Sequence, residues 1–337
     1  MSEPCVPKPF SGGIFLSYKC NLRCRHCMYA CSPRWKGDWI SEEDALKVLS
    51  QLAEGVRGRY PDTELVGINY GFHFTGGEPF LKFDLLLELV EASSRLGLPS
   101  TFVETNCFWC RSYDDVRGKM EELKGAGLKG ILVSVNPFIV ESVPFERIER
   151  AVRVGVEVFG RNVIVYQALF FELFKSMGLR GTMSFQRFLE EAGGVLRYAE
   201  LIPAGRAPYK LGDLYVKYPA KHFFGSSCRR EILRDWHIHV DNYCNYIPGY
   251  CAGISFGDAR NMSEVCSPLS LKKCQVVKAL LSDLRELYEL GRKHGYKELE
   301  EGYVSKCHLC LDIRRHLVSS GEFPELKPVE FYDHIED

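Results

Sequence analysis

The sequence predicts an α/β chain in two parts. A parallel sheet crossed by helices spans residues 1–210, and a smaller cysteine-rich α+β domain and tail span 211–337. Three observations carry this. Short apolar runs alternate with amphipathic helical stretches six times in the first two hundred or so residues, and strand–helix repetition of that kind means parallel strands joined by crossover helices. From about Tyr215 the pattern changes to short strands dense in cysteine, glycine and aromatics. The fourteen cysteines, finally, fall in groups.

The strand candidates are Gly12–Tyr18, Gly67–Thr75, Thr101–Thr105, Gly130–Val135, Asn162–Gln167 and the run Val195–Pro203. Ser41 heads the first helix as an N-cap with acidic residues behind it, and Ala45, Leu46, Val48, Leu49 and Leu52 form its apolar face. Further helices follow Pro79, cover Tyr113–Gly125 and Phe145–Phe159, and run from near Ser184 to Ala192. In the second strand Ile68, Tyr70, Phe72 and Phe74 alternate with Asn69, Gly71, His73 and Thr75, one face for helix packing and one for a polar interior. Past Tyr215 a single helix is predicted over Val276–Gly291, and the acidic tail after Gly321 is expected to hug the surface. A doubly wound open sheet and a partial or full barrel both fit this alternation. Either way, sites sit at the carboxyl ends of the strands.

With 43 basic and 44 acidic residues, the chain has no broad electrostatic surface for nucleic acid. No apolar run approaches a membrane span, and the first ten residues lack the apolar core of a signal peptide. A cytoplasmic protein without a membrane anchor is expected. In a reducing compartment, grouped cysteines point to metal or redox chemistry rather than disulfides.

Cys20, Cys24 and Cys27 supply three thiols within eight residues, directly after the first strand. A cubane iron–sulfur cluster is held by cysteine thiolates, and three ligands leave one iron open. A zinc site needs a fourth ligand, which His26 or Cys31 offers, so zinc stays open at this point. The second motif is Thr75-Gly76-Gly77-Glu78-Pro79, where two glycines permit a tight turn with exposed backbone groups.

Together these motifs resemble the radical S-adenosylmethionine (SAM) superfamily. The resemblance implies a partial (β/α)6 TIM-like barrel and a [4Fe–4S] cluster on Cys20, Cys24 and Cys27 whose open iron chelates SAM. It also implies His26 near the adenine and Thr75 to Pro79 at the SAM amino group. By the same resemblance Asn106, Ser134, Asn136 and Gln167, on or after successive strands, are expected to contact ribose, methionine carboxylate or substrate. Arg206, in the loop Pro203–Ala207, is expected to pair with a carboxylate of SAM or substrate.

Near the carboxyl terminus, Cys307-His-Leu-Cys310 and the segment His239–Cys251 resemble the twitch and SPASM domains. This implies one auxiliary [4Fe–4S] cluster on Cys228, Cys251, Cys307 and Cys310, with zinc as the alternative occupant. Cys244 is expected not to ligate, and Cys266 and Cys274 leave a second auxiliary site open. Cys31 is expected to be a buried, inert thiol, while the Cys107/Cys110 pair is left undecided. The family's chemistry implies reductive cleavage of SAM to a 5′-deoxyadenosyl radical, fed by a ferredoxin- or flavodoxin-type donor. The radical would then take hydrogen from a peptide or protein side chain, or alternatively from a small molecule. RNA modification and a non-catalytic scaffold rank lower. The chain ahead of Gly12 is expected to hold no leader-binding module. No catalytic side chain is assigned.

Overall fold

The computed structural model describes residues 5–268 and 274–337. Five strands follow the predicted order: β1 (Gly12–Phe15), β2 (Phe72–Thr75), β3 (Phe102–Thr105), β4 (Gly130–Ser134) and β5 (Val163–Tyr166). Each pairs in parallel with the next. The helices Glu42–Val56, Phe83–Arg95, Tyr113–Gly125 and Phe145–Phe159 make the crossovers. Ser41 caps the first of them by accepting from the Asp44 amide, and Ala45, Val48, Leu49 and Leu52 are buried as the periodicity predicts. The fifth crossover begins with Ala168–Ser176, a helix the sequence reading left out, and continues through Phe185–Ala192.

The sixth strand is not where the sequence puts it. Val195–Pro203 does not form a strand; 3-10 turns occupy Gly193–Tyr198, and Val195, Leu196, Leu201 and Ile202 are only half-buried. The place beside β1 is taken by β6 (Ile238–Val240), parallel to it, with β7 (Tyr246–Ile247) antiparallel beyond. The resulting order is β5-β4-β3-β2-β1-β6-β7. Burial decides the competition. Ile238 and Val240 are wholly buried, whereas the earlier run is interrupted by Arg197 and Glu200. A hairpin from the expected second domain therefore completes the first domain's sheet, and one main core draws buried residues from both parts of the chain.

Two further expectations change. The predicted helix Val276–Gly291 is two helices, Gln275–Ser282 and Leu284–Lys293. Asp283 between them is extended and caps the second through the Arg285 amide at 2.8 Å. The tail after Gly321 does not merely cover the surface: Phe323, Leu326, Phe331, Tyr332 and Ile335 are buried. It ends against the cysteine loop, with Glu330 accepting from the Lys36 amide (2.6 Å) and Asp337 from Arg34 (3.0 Å). Among the described residues no helix is long and apolar enough to cross a membrane.

Candidate active site

The strands' carboxyl ends open into a cavity of about 650 Å³. Its first wall is the loop after β1. The thiols of Cys20, Cys24 and Cys27 face it together with His26 and Cys31. Backbone donors are already aimed at the sulfurs: the Leu22 amide lies 3.3 Å from Cys20 Sγ, and the Cys31 amide 3.3 Å from Cys27 Sγ. Asn106 Nδ2 adds a weak contact to Cys20 Sγ at 3.7 Å. Burial, then the neighbouring thiols, pushes Cys20 and Cys24 well above the ordinary range. Hydrogen bonding from Cys31 overcomes burial at Cys27 and holds it down to about 6.

Three crowded thiols under N–H donors suit thiolate ligation to a cluster, whose irons would offset the repulsion. Among the described residues no three or more His, Cys, Asp or Glu groups converge as one metal ion requires, and a zinc ion would draw its ligands to about 2.0–2.3 Å. Three thiols on one loop match the ligand count of a cubane that keeps one iron open.

Arg206 explains how the loop keeps this shape, and here the sequence expectation fails. Its side chain is wholly buried and off the cavity wall. The guanidinium donates to the carbonyls of Cys24 (3.1 Å), Ala30 (2.6 Å), Cys31 (3.0 Å) and His334 (3.2 Å). It is a clamp on the cysteine loop and the tail, with no free edge for a carboxylate of SAM or substrate.

The second wall segment is Thr75–Glu78 at the end of β2. A Cβ on Gly76 would strike the Ser17 carbonyl, and one on Gly77 the Lys19 carbonyl. Glycine at both positions lets the Gly77 and Glu78 amides bond to those carbonyls at 2.8 and 3.1 Å. Glu78 accepts from the Asn106 amide (2.8 Å), Thr105 Oγ1 (2.9 Å) and the Phe80 amide (3.3 Å). Burial pushes its carboxyl up to about 7 against those bonds. Pro79 is buried at the head of the following 3-10 turn, off the wall.

The rim residues divide. His26 stacks on Phe138 (centroids 4.8 Å) and pairs with Asn136 Nδ2 at 3.2 Å; burial, then Arg206, holds it down to about 4. Ser134 and Asn106 line the cavity. Asn136 stands behind His26 and caps the amides of Phe138 and Ile139. Gln167 faces away, exchanging bonds with the Glu200 backbone. Cys31 is buried as expected and lies 3.5 Å from the Gly76 carbonyl. Cys107 and Cys110 are buried off the wall.

The four C-terminal thiols come together from three segments. Cys307 and Cys310 share the first turn of the helix Lys306–Val318, and Cys251 follows the turn at Pro248. Cys228 opens a short helical turn and is tied to the Leu280 carbonyl at 2.7 Å. After burial, the charge of Cys310 and then of Cys251 raises Cys228; burial first, with Cys310 also raising both, lifts Cys251 to about 12 and Cys307 to about 11. Cys244 neighbours Asp44, Arg260 and Asp258 instead, Cys266 lies 3.8 Å from the Pro7 carbonyl, and Cys274 is near Glu325.

The deep end of the cavity holds residues the sequence reading did not single out as a site. Gly13 on β1 is in register with His73 on β2 and with His239 on β6. A Cβ at Gly13 would strike the His73 ring. With none there, the two imidazoles meet at 3.2 Å, Nε2 to Nε2. Tyr29 Oη bonds His239 Nδ1 at 2.7 Å, and His73 lies 3.6 Å from Glu104. His237, two residues before His239, joins the same face. The available signal was this His-x-His spacing, but only the β1–β6 pairing gives it meaning.

A parallel sheet whose strand ends carry three clustered thiols beside a double-glycine turn defines a class, and the family comparison agrees. Residues 14–165 match the model of the radical SAM superfamily. The chain carries a radical SAM domain, the catalytic domain of iron–sulfur enzymes that use SAM. It is 29% identical to GTP 3′,8-cyclase of Aquifex aeolicus over 212 residues, 57% of this chain and 56% of that enzyme. It is also 29% identical to PqqA peptide cyclase of Bradyrhizobium diazoefficiens over 126 residues, 37% of this chain and 28% of the other. The chain thus spans about half the length, or less, of these curated relatives. A solved structure described as native anSMEcpe with bound AdoMet and Cp18Cys peptide is similar over 93% of this chain and 98% of its own, at TM-score 0.45 and 13% identity.

Proposed function

We propose that this protein is a radical SAM enzyme that cleaves SAM reductively and takes hydrogen from an unphosphorylated substrate. A peptide or protein side chain is the first reading. Cys20, Cys24 and Cys27 would hold the SAM-binding [4Fe–4S] cluster, and Cys228, Cys251, Cys307 and Cys310 one auxiliary [4Fe–4S] cluster. When bound and reduced by a low-potential donor, the first cluster supplies the electron that splits SAM into methionine and a 5′-deoxyadenosyl radical.

The chain's own part is to bind, orient and exclude water. Thr75 to Glu78 offer backbone groups to the SAM amino group, with Glu78 anchored through Thr105 and Asn106. His26, held flat by Phe138 and Asn136, suits the adenine. Ser134 and Asn106 stand on the wall for ribose or carboxylate. Arg206 keeps the loop in place from behind.

One observation narrows the substrate. Among the described residues lining the cavity there is no lysine or arginine, while Glu78, Glu104 and Glu200 are there. Nucleotide phosphates are held by Arg, Lys or a metal, so a triphosphate such as GTP has no partner on this wall. This supports a peptide side chain over GTP, the substrate in the name of the Aquifex aeolicus relative. A small neutral metabolite is the second reading, favoured by the depth at which His239 and Glu104 lie.

The test is anaerobic reconstitution, metal and sulfide analysis, and a 5′-deoxyadenosine assay with SAM and dithionite. About eight irons per chain with 5′-deoxyadenosine formed is the expected result, two four-iron clusters being held by cysteine thiolates. A full first cluster that yields no 5′-deoxyadenosine overturns it. GTP is expected to be neither bound nor consumed.

A further inference from the structure

The chamber's deep end sets the acceptors Glu104 and His237 beside the hydroxyls of Tyr166 and Tyr250. His237 Nδ1 faces the Ile68 carbonyl at 2.8 Å, and a carbonyl only accepts, so Nδ1 carries the proton. Burial, then neighbouring His73, holds His237 down to about 4, so the ring is neutral and its Nε2 is an acceptor. Glu104 accepts from Thr75 Oγ1 at 2.6 Å and keeps its other oxygen toward His73. His239 is braced on both ring nitrogens, by Tyr29 and by His73. Glu104, His237 and His239 all line the cavity, whereas His73 stands behind and joins His239 to Glu104.

A buried arginine beside this layer is off the wall. Arg234 stacks at 4.1 Å on Tyr250 and 4.3 Å on Trp236, and its Nη2 donates to the His237 carbonyl at 3.0 Å. It presents no donor to the chamber. A core built only for packing would fill this layer with apolar side chains, because buried polar groups cost free energy unless paired. Here Gly13 is left bare and the imidazoles reach across it.

We propose that Glu104 and His237, braced by the His239–His73 pair, form the substrate-anchoring site, which takes a hydroxyl or amine group and turns away phosphate and carboxylate. The site rests on the reading of the cavity as a radical SAM active site and sets the chemistry of the group seated opposite the thiols. A substrate hydroxyl or amine donates to His237 Nε2 or to Glu104. A phosphate or carboxylate brings only acceptors to Glu104 and His237 Nε2, and would have to turn to the hydroxyls of Tyr166 and Tyr250 on the same wall.

The test needs no knowledge of the true substrate. Saturation-transfer NMR on the anaerobically reconstituted, SAM-loaded protein compares ethanolamine and propane-1,3-diol with propionate and methyl phosphate. The amine and the diol are expected to bind and the two anions not. Glu104→Gln and His237→Phe are expected to weaken the donors' binding about tenfold, the loss of one charged or neutral hydrogen bond at a buried site. The wild-type comparison decides the matter even where a variant fails to fold. Anions binding as well as the donors, no binding by either donor, or variants binding like wild type each overturn the proposal. 5′-Deoxyadenosine formation by the same wild-type sample separates the two readings: its absence alongside donor binding sinks the SAM chemistry and leaves the anchoring site standing.

Discussion

The two thiol groups of this molecule are assembled in opposite ways. Cys20, Cys24 and Cys27 lie in one loop, and the backbone between them supplies its own N–H donors to the sulfurs. Cys228, Cys251, Cys307 and Cys310 arrive from three segments up to about eighty residues apart, and the helix Lys306–Val318 ties them through Lys306 to the Ser227 carbonyl and Arg314 to the Ala252 carbonyl. Local closure costs little chain entropy; joining distant segments costs more. The first group should therefore depend on its immediate loop, and the second on the fold around it. Arg206 complicates the contrast, since the local loop is itself clamped by a residue about 180 positions on.

The largest expected effect tests the first half. Cys24→Ala should abolish 5′-deoxyadenosine formation while about four irons remain, the content of one cubane. Retained activity would break the contrast. Cys251→Ala should likewise remove about four irons, and should also lower the melting temperature, because the auxiliary site ties distant segments. An unchanged melt would mean the C-terminal fold stands without its cluster.

Smaller effects sharpen the comparison. Arg206→Met should lower stability in urea unfolding by about 1–3 kcal/mol for each buried carbonyl it leaves unpaired. Gly13→Ala should cost about 1–3 kcal/mol by overpacking against His73. The smallest effect is a pH slope. His237 is held down to about 4 by burial and by His73, with Glu104 and Arg234 also facing it, while an unfolded histidine titrates near about 6.5. Below that value the unfolded chain binds the extra proton, so stability is full above it and is lost as pH falls toward about 4. Each histidine of this kind contributes at most about 1.4 kcal/mol per pH unit. His237→Phe should flatten the melt-versus-pH curve over that window, and an unchanged curve would show that His237 titrates alike in the folded and unfolded chain.

Wherever periodicity and local capping decide an element, the sequence already contains it. The helices Tyr113–Gly125 and Phe145–Phe159, the Ser41 cap and all five strands β1–β5 are readable because their apolar faces repeat locally. The cysteine loop and the double-glycine turn are readable for the same reason, since each is a contiguous motif whose spacing is its chemistry. What the sequence could not decide is which distant segment fills a shared place. Val195–Pro203 reads as a short apolar run, yet Ile238–Val240 takes the place beside β1, and only burial there selects it. That one choice also creates the deep end of the chamber, by setting His239 across from His73 over a bare glycine. Arg206 carries the same lesson: its loop suggested a ligand contact, but tertiary packing surrounded its guanidinium with four carbonyls. Local pattern fixes what a segment is, because the period of side chains is a property of the segment alone. Where it goes, and what its polar groups face, depends on competition among segments for the same buried surface, and only the folded chain resolves that.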